Sequence, residues 1–217
     1  DILEKFPKNK KAKQGLTNLA KFQSAAATQA PPQETIEQLV NLYNQGEMEK
    51  AVERAGELIK QYPQTFILWN VLGAAKQGLG IFNEASEAFK NATEINPHHA
   101  DGFNNLGVSL ENEGKFDDAI AAYNRAISIK PNFSKVYFNM GNVMQKQGKP
   151  AKALEAYNKC TTFNPKYAEA YLNMGNVLKE MEKFDGAIDA YNKAISEKPD
   201  YTEAYISLGN IFSHQIK

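Results

Sequence analysis

Apolar residues recur along the sequence at the spacing of amphipathic helices. Phe103, Leu106 and Leu110 share one helical face, and Ala119 and Tyr123 begin a second one a few residues later. No stretch alternates apolar and polar residues as a half-buried strand does. The pattern predicts pairs of helices and an all-α fold.

Glycine, aspartate and proline mark where these helices begin and end. Gly114 follows the first helix, and glycine readily adopts the left-handed conformation found at helix C-termini. Asp117 or Asp118 is predicted to start the second helix, because acidic residues favour helix N-termini. Pro131 then prevents the second helix from continuing. The sequence therefore predicts a helix–turn–helix unit.

This unit recurs with a fixed period. The stretch Tyr171-Leu-Asn-Met-Gly-Asn-Val177 repeats Tyr137-Phe-Asn-Met-Gly-Asn-Val143, and 171 − 137 = 34. Prolines keep the same step, at Pro63, Pro97, Pro131, Pro165 and Pro199. A fixed period of this length is typical of an α-solenoid, a stack of antiparallel helix pairs in which each unit contacts only its neighbours.

The period also sets the expected boundaries. Full repeats are predicted at residues 32–65, 66–99, 100–133, 134–167 and 168–201, with a partial repeat, its first helix alone, at 202–217. Residues 1–23 are predicted to hold the remnant of a preceding repeat and one helix. Residues 24–31 are predicted to form a linker or widened turn, because Pro31 and Pro32 cannot both lie inside a helix.

Small residues recur at one position in each helix of the pair. Glycine in a helix interior costs about 0.5–1 kcal/mol relative to alanine, so its recurrence needs a compensating contact. The first helices carry Gly73, Gly107, Gly141, Gly175 and Gly209, and the second helices carry Ala85, Ala119, Ala153 and Ala187. We expect glycine to face alanine, with the aromatic residues Phe89, Tyr123, Tyr157 and Tyr191 filling the space towards the next repeat.

Composition and charge exclude several classes of protein. Lysine plus arginine equals aspartate plus glutamate at 25 each, whereas a nucleic-acid-binding protein usually has a basic surface. The local cluster Lys8, Lys10, Lys11 and Lys13 is interpreted as a solvated helix face. No apolar run approaches the roughly 18 residues of a membrane helix, and no signal peptide opens the sequence. We expect a cytoplasmic protein with neither nucleic acid nor membrane as partner.

Catalytic and metal-binding residues are not indicated. His98, His99 and Asp101 lie close in sequence, but zinc sites normally need more ligands at set spacings. Cys160, the one cysteine, occupies a position that holds Ala126 and Ala194 in other repeats, so it is interpreted as a small buried residue. We expect no enzyme activity, no metal and no cofactor.

The order of an aromatic residue, Leu/Met-Gly, Gly, Phe, Ala, Tyr, Ala and Pro at these offsets resembles the tetratricopeptide repeat (TPR) across residues 32–217. The first unit departs most, with Thr35, Gln38 and Leu39 at the first three positions, and Pro150 replaces a phenylalanine. The resemblance implies a right-handed superhelix whose first helices line a concave groove that commonly holds an extended peptide.

Asparagines form two rows on the first helices. One row is Asn105, Asn139 and Asn173, and the other is Asn142, Asn176 and Asn210. A side-chain amide both donates and accepts hydrogen bonds, so such rows match a peptide backbone whatever its side chains. They resemble the asparagine rows in the superhelix of O-linked N-acetylglucosamine transferases. Alternatively, the asparagines join adjacent repeats and fix the angle between them; both roles remain open.

Asn104, Phe138 and Leu172 complete the predicted peptide-binding residues and suggest a partly apolar groove. The groove positions around them include Lys135 as their single base, so the clamp that grips a C-terminal carboxylate in chaperone adaptors is not expected.

The sequence thus favours a non-catalytic scaffold that binds an extended peptide. Two alternatives remain. One is the N-terminal recognition arm of a larger glycosyl- or sulfotransferase, since the repeat pattern is cut off in mid-unit at both ends. The other is self-association through the uncovered C-terminal helix, whose apolar residues include Tyr205, Leu208 and Phe212.

Overall fold

The computed structural model describes residues 30–215, which form eleven α-helices and no strand. The prediction of an all-α fold is confirmed. The elements predicted at residues 1–23, and nearly all of the linker at 24–31, lie outside the described residues. The helices are α1 (Gln33–Asn44), α2 (Met48–Gln61), α3 (Phe66–Gly78), α4 (Phe82–Ile95), α5 (Ala100–Asn112), α6 (Phe116–Ile129), α7 (Ser134–Lys146), α8 (Pro150–Phe163), α9 (Ala168–Glu180), α10 (Phe184–Glu197) and α11 (Thr202–Gln215).

The described residues divide into two compact units, an N-terminal unit that ends at Pro97 and a C-terminal unit that begins at His98. Within each unit, helices that follow one another in sequence pack together: α1 to α4 in the first, and α5 to α11 in the second. First helices also contact the next first helix, as α5 contacts α7 and α9 contacts α11. Each unit is therefore a stack with mainly local contacts, as expected of a solenoid.

Left-handed residues end the first helix of five successive pairs. Gly46, Gly80, Gly114 and Gly148 have φ values of 79°, 76°, 77° and 67°. The fifth turn uses Glu182 at φ 57°, although a side chain makes this conformation costly. The packing of the repeat therefore determines the turn, since the backbone keeps the left-handed conformation at Glu182, where glycine is absent.

The structure corrects one prediction about where helices start and agrees with another. The prediction that Asp117 or Asp118 starts the second helix is wrong by one residue, because α6 begins at Phe116 after Lys115. Both aspartates lie in the first turn of α6, where their charge still favours the helix dipole. Pro150 occupies the first turn of α8, where its missing N–H costs no hydrogen bond.

The glycine of each first helix lies against an aromatic ring of the second helix. A Cβ atom built on Gly73 would lie 2.8 Å from Phe89 Cδ1, well inside carbon contact distance. The corresponding rings are Tyr123 at Gly107, Tyr157 at Gly141 and Tyr191 at Gly175. The expected pairing of glycine with alanine is therefore wrong: the nearest atoms belong to the ring. Glycine recurs because only a residue without a side chain admits the ring there.

The core of the C-terminal unit contains these rings and the alanines around them, whereas leucines dominate the core of the N-terminal unit. In the C-terminal unit Tyr123, Tyr157 and Tyr191 are fully buried. In the N-terminal unit Leu39, which stands where the other repeats have glycine, is fully buried as well. The divergent first repeat thus fills its core with a leucine and with Leu58 of α2.

Within the described residues, α11 packs against α10 and α9, but no second helix of its own repeat follows it. Tyr205, Ile206 and Phe212 are 51%, 58% and 46% exposed. A Cβ atom on Gly209 would meet nothing within 4 Å, unlike those on the preceding glycines of the series. One side of α11 therefore leaves apolar surface and an unfilled glycine position in contact with solvent.

Candidate functional site

The predicted asparagines of the C-terminal unit lie on α5, α7, α9 and α11 at different depths. Asn104 is buried, with 3% of its surface exposed, while Asn210 is exposed. The remaining five are half-buried: Asn105, Asn139, Asn142, Asn173 and Asn176. Half-burial leaves part of each amide available to water or to a ligand.

Asparagines link the first helices of adjacent repeats at the α5–α7 junction. Asn139 Nδ2 donates to Asn104 Oδ1 at 3.0 Å, and Asn104 Nδ2 donates to Asn105 Oδ1 at 3.3 Å. The buried amide of Asn104 therefore has a partner on both of its polar atoms. This series of three amides serves the junction, the role that the sequence left open beside ligand binding.

A denser network joins α7, α8 and α9. The Tyr157 hydroxyl donates to Asn142 Oδ1 at 2.8 Å and lies 3.2 Å from Gln145 Oε1. Asn173 Nδ2 donates to the same Asn142 oxygen at 3.0 Å and lies 3.5 Å from the Tyr157 hydroxyl. Asn142 Oδ1 thus accepts hydrogen bonds from its own repeat and from the next one.

The next junction repeats this arrangement in part. The Tyr191 hydroxyl donates to Asn176 Oδ1 at 2.9 Å, as Tyr157 does to Asn142. Ser207 of α11 lies near the Tyr191 hydroxyl. Ser207 lies one repeat period after Asn173, since 207 − 173 = 34, so it stands at the corresponding position of the next repeat.

In the first repeat of the C-terminal unit a carboxylate replaces the amide. The Tyr123 hydroxyl donates to Glu111 Oε2 at 2.9 Å, and Lys146 Nζ of the next repeat donates to Glu111 Oε1 at 2.7 Å. Burial, with the charge of Glu111 beside it, raises the pKa of Tyr123. Burial likewise raises the pKa of Tyr157. Both phenols therefore keep their protons at neutral pH and act as hydrogen-bond donors.

These side chains border an open cleft of about 590 Å³ on the first helices of the C-terminal unit. Of the described residues that line it, none has an aromatic or aliphatic side chain; all carry amides or charges. The residues are Glu111, Asn142, Gln145, Lys146, Asn173 and Glu180. A surface of this kind suits a polar segment with its own donors and acceptors.

The predicted apolar groove residues pack against neighbouring side chains. The Phe138 ring stacks on Tyr167 with centroids 4.9 Å apart, and its centroid lies 5.9 Å from that of Tyr157. Leu172 is 5% exposed and belongs to the core around Tyr191. Phe138 is half-buried and keeps some surface, whereas Leu172 has little surface left for a ligand.

His99 and Cys160 have structural surroundings. His99 caps α5, because its Nδ1 accepts a hydrogen bond from the Gly102 N–H at 3.1 Å. Cys160 is fully buried, and burial raises the pKa of its thiol to about 12, so the reactive thiolate is not formed at neutral pH. Across residues 30–215, no three His, Cys, Asp or Glu side chains come together as a metal site.

Among the eleven helices of residues 30–215, none combines the length and the apolar character needed to cross a bilayer.

Paired helices in a stack, with hydrogen-bonding side chains on successive first helices, define a helical-repeat protein. Family models confirm this class and make it specific. Models described as tetratricopeptide repeat match residues 40–65, 67–99, 88–121, 134–167 and 168–201, and one described as TPR repeat matches 111–148. The protein belongs to the tetratricopeptide-repeat family, whose members generally mediate protein or peptide interactions.

Several solved structures have similar folds. PilF of Pseudomonas aeruginosa is 20% identical, with a coverage of 84% for both proteins and a TM-score of 0.72. MamA is 24% identical over 73% of this protein and 93% of its own length, with a TM-score of 0.69. YrrB is described as a TPR protein with an unusual peptide-binding site. It is 21% identical over 88% of this protein and 96% of its own length, with a TM-score of 0.67. A comparison with curated proteins finds no match.

The part played by the tyrosine hydroxyls was not predicted from the sequence. Tyr157 and Tyr191 are core residues as expected, but their hydroxyls also donate to the asparagines. A signal was present in the repeats: the residue after the glycine is asparagine in the repeats of Tyr157 and Tyr191, and it is Ala74 in the repeat of Phe89. A ring without a hydroxyl accompanies a first helix without the amide.

Proposed function

We propose that the C-terminal unit binds an extended peptide on the amide surface, defined as the side chains of Asn139, Asn142, Asn173 and Asn176. The protein then acts as a scaffold that holds a partner protein and has no catalytic activity of its own. The observation that carries this proposal is the polar cleft beside α7 and α9, which is lined by amides whose hydrogen-bonding capacity is only partly used.

Unused polar atoms support the proposal. Among the described residues, Asn142 Nδ2 and Asn173 Oδ1 make no hydrogen bond, while the opposite atom of each amide does. Gln145 Nε2 makes no hydrogen bond there either, and Gln145 Oε1 is the more distant of the two acceptors beside the Tyr157 hydroxyl. A ligand that supplies acceptors and donors gains hydrogen bonds here, each contributing about 0.5–1.5 kcal/mol.

The proposal is tested by selecting binders from a random dodecapeptide library with the full-length protein. We expect micromolar affinity, roughly −8 kcal/mol, because ordering an extended ligand offsets much of its contact energy. The triple variant Asn142→Ala/Asn173→Ala/Asn176→Ala is expected to weaken binding of an enriched peptide at least about tenfold, because three amides of about 0.5–1.5 kcal/mol each are lost. Fluorescence anisotropy measures this affinity.

The matched control changes asparagines at one position of the second helices: Asn124→Ala/Asn158→Ala/Asn192→Ala. All three are exposed, and they lie one repeat period apart on α6, α8 and α10. Binding by this variant should stay within about twofold of the parent. Circular dichroism confirms that both variants are folded. Equal affinities for the two triple variants would refute the role of the amide surface.

Self-association through α11 is a second candidate function. Its exposed Tyr205, Ile206 and Phe212 form an apolar side next to an unfilled glycine position. If this side pairs with a second copy, the mass measured by light scattering rises with protein concentration, and Ile206→Lys/Phe212→Lys abolishes the rise. A monomer mass at every concentration shows that α11 does not mediate self-association.

A further inference from the structure

The tyrosine hydroxyls of the C-terminal unit fix the orientation of the asparagine amides. A neutral phenol has one proton to donate. Tyr191 donates to Asn176 Oδ1 at 2.9 Å, and Tyr157 has Asn142 Oδ1 at 2.8 Å as a nearer acceptor than Gln145 Oε1 at 3.2 Å. Rotating either amide by half a turn would replace this acceptor with an NH₂ group. The orientation of an amide follows from its partners, and here the partners select one of the two orientations.

At Asn142 a second donor strengthens this selection. Asn173 Nδ2 donates to the same oxygen at 3.0 Å, so a reversed Asn142 amide would place its NH₂ against the NH₂ of Asn173. It could bond to the Tyr157 oxygen only if that hydroxyl turned its proton to the longer contact with Gln145 Oε1 at 3.2 Å. The reversed orientation is less stable, because a hydrogen bond contributes about 0.5–1.5 kcal/mol. Asn142 therefore keeps its NH₂ directed away from the Tyr157 hydroxyl.

The bond between Asn142 and Asn173 leaves a donor and an acceptor unused. The donor is Asn142 Nδ2, and the acceptor is Asn173 Oδ1, because its own Nδ2 is bound to Asn142. Neighbouring unused N–H and C=O groups are the complement of a peptide backbone, which offers one C=O and one N–H per residue. A ligand group that only accepts hydrogen bonds can use the Asn142 NH₂ alone, and one that only donates can use the Asn173 oxygen alone, whereas a peptide backbone can use both.

We propose that Tyr157 and Tyr191 are positioning residues, which hold the asparagine amides in the orientation that reads the backbone of an extended peptide. This rests on the proposed peptide-binding function and adds the chemistry that is recognised. The ligand is bound through the C=O and N–H groups of its backbone, and the tyrosines themselves remain buried and do not contact it.

The first readout needs no ligand. In the full-length protein with Tyr157→Phe, the Asn142 side-chain NH₂ is expected to gain mobility, seen as a lower NMR order parameter of its N–H bonds. Tyr191→Phe should do the same for Asn176. The control is Tyr137→Phe, which removes a hydroxyl bound to the Pro131 carbonyl at 3.1 Å, outside the network. Unchanged Asn142 and Asn176 order parameters in the tyrosine variants would overturn the positioning role.

The second readout uses one dodecapeptide enriched by the selection described above. Tyr157→Phe/Tyr191→Phe is expected to weaken its binding about three- to tenfold, whereas Tyr137→Phe should leave it within twofold. In a scan of the peptide, ester replacement of single amide bonds weakens a backbone acceptor and removes an N–H. At least one ester-substituted peptide is expected to bind the parent protein about fivefold more weakly than the all-amide peptide does. The same ester should weaken binding to the Tyr157→Phe/Tyr191→Phe protein by a smaller factor.

These results separate the two proposals. If the peptide binds and depends on the asparagines, but neither the phenylalanine variants nor any ester changes its affinity, the proposed function stands and this inference is wrong. If the selection enriches no peptide, the peptide-binding function and the backbone-reading role both fail, and the order parameters still decide whether the tyrosines orient the amides.

Discussion

Replacing Tyr157 by alanine is expected to lower the free energy of unfolding by about 3–5 kcal/mol, the usual cost of deleting a buried aromatic ring. The ring is fully buried and fills the space in front of Gly141, which no other group can enter without a shift of the helices. Its loss also leaves Asn142 without the hydroxyl that donates to it. The cavity and the lost hydrogen bond both lower the free energy of unfolding.

Urea unfolding followed by circular dichroism measures this loss of stability. Native-state hydrogen exchange shows which helices lose protection. In a stack with nearest-neighbour contacts, protection should drop most in α7 and α8. Tyr205→Ala on α11 is the control, because that ring is 51% exposed and its removal should cost less than about 1 kcal/mol. Similar losses for the two variants would mean that Tyr157 does not fill the core as described.

The helices could be predicted because the same helix pattern recurs in every repeat. The period and the prolines recur at each step and glycine at most of them, so a departure in one repeat can be interpreted from the others. The turn at Glu182 illustrates this: the residue itself disfavours a left-handed conformation, but its position one repeat period after Gly148 predicts one. The start of α6 was misplaced by one residue because charge near a helix N-terminus does not fix which residue is first.

The contact of the small residues was predicted wrongly for a geometric reason. Periodicity places Gly141 and Ala153 on facing sides of two helices, but it does not give the offset along the helix axes. That offset decides whether the glycine meets the alanine or the ring of Tyr157, one helical turn further along. Only packing of whole side chains determines it.

The candidate site could be predicted in part. The rows of asparagine followed from the repeat period, and the half-buried position of Asn142 and Asn173 agrees with a surface they share. Which polar atom of each amide is used could not be predicted, because it depends on Tyr157, which reaches the amide from a different helix. The ligand-binding role of these residues remains a prediction.

Replacing Gly141 by alanine is expected to lower the free energy of unfolding by about 1–3 kcal/mol, the usual cost of overpacking a core. The nearest atoms to a Cβ at this position are Cε1, Cδ1 and Cζ of Tyr157, a rigid ring that is itself fully buried. Alanine favours a helix over glycine by about 0.5–1 kcal/mol, so the overlap has to exceed this gain before any loss is seen.

Gly209→Ala is a control with the opposite sign at the same position of the repeat. Its Cβ would meet nothing within 4 Å, so the variant should be more stable by the helix-propensity difference, about 0.5–1 kcal/mol. Urea unfolding midpoints of the two variants, together with hydrogen exchange in α7 and α11, measure both effects. A shift of the same sign in both variants would show that helix propensity, and not contact with the ring, determines where this glycine is needed.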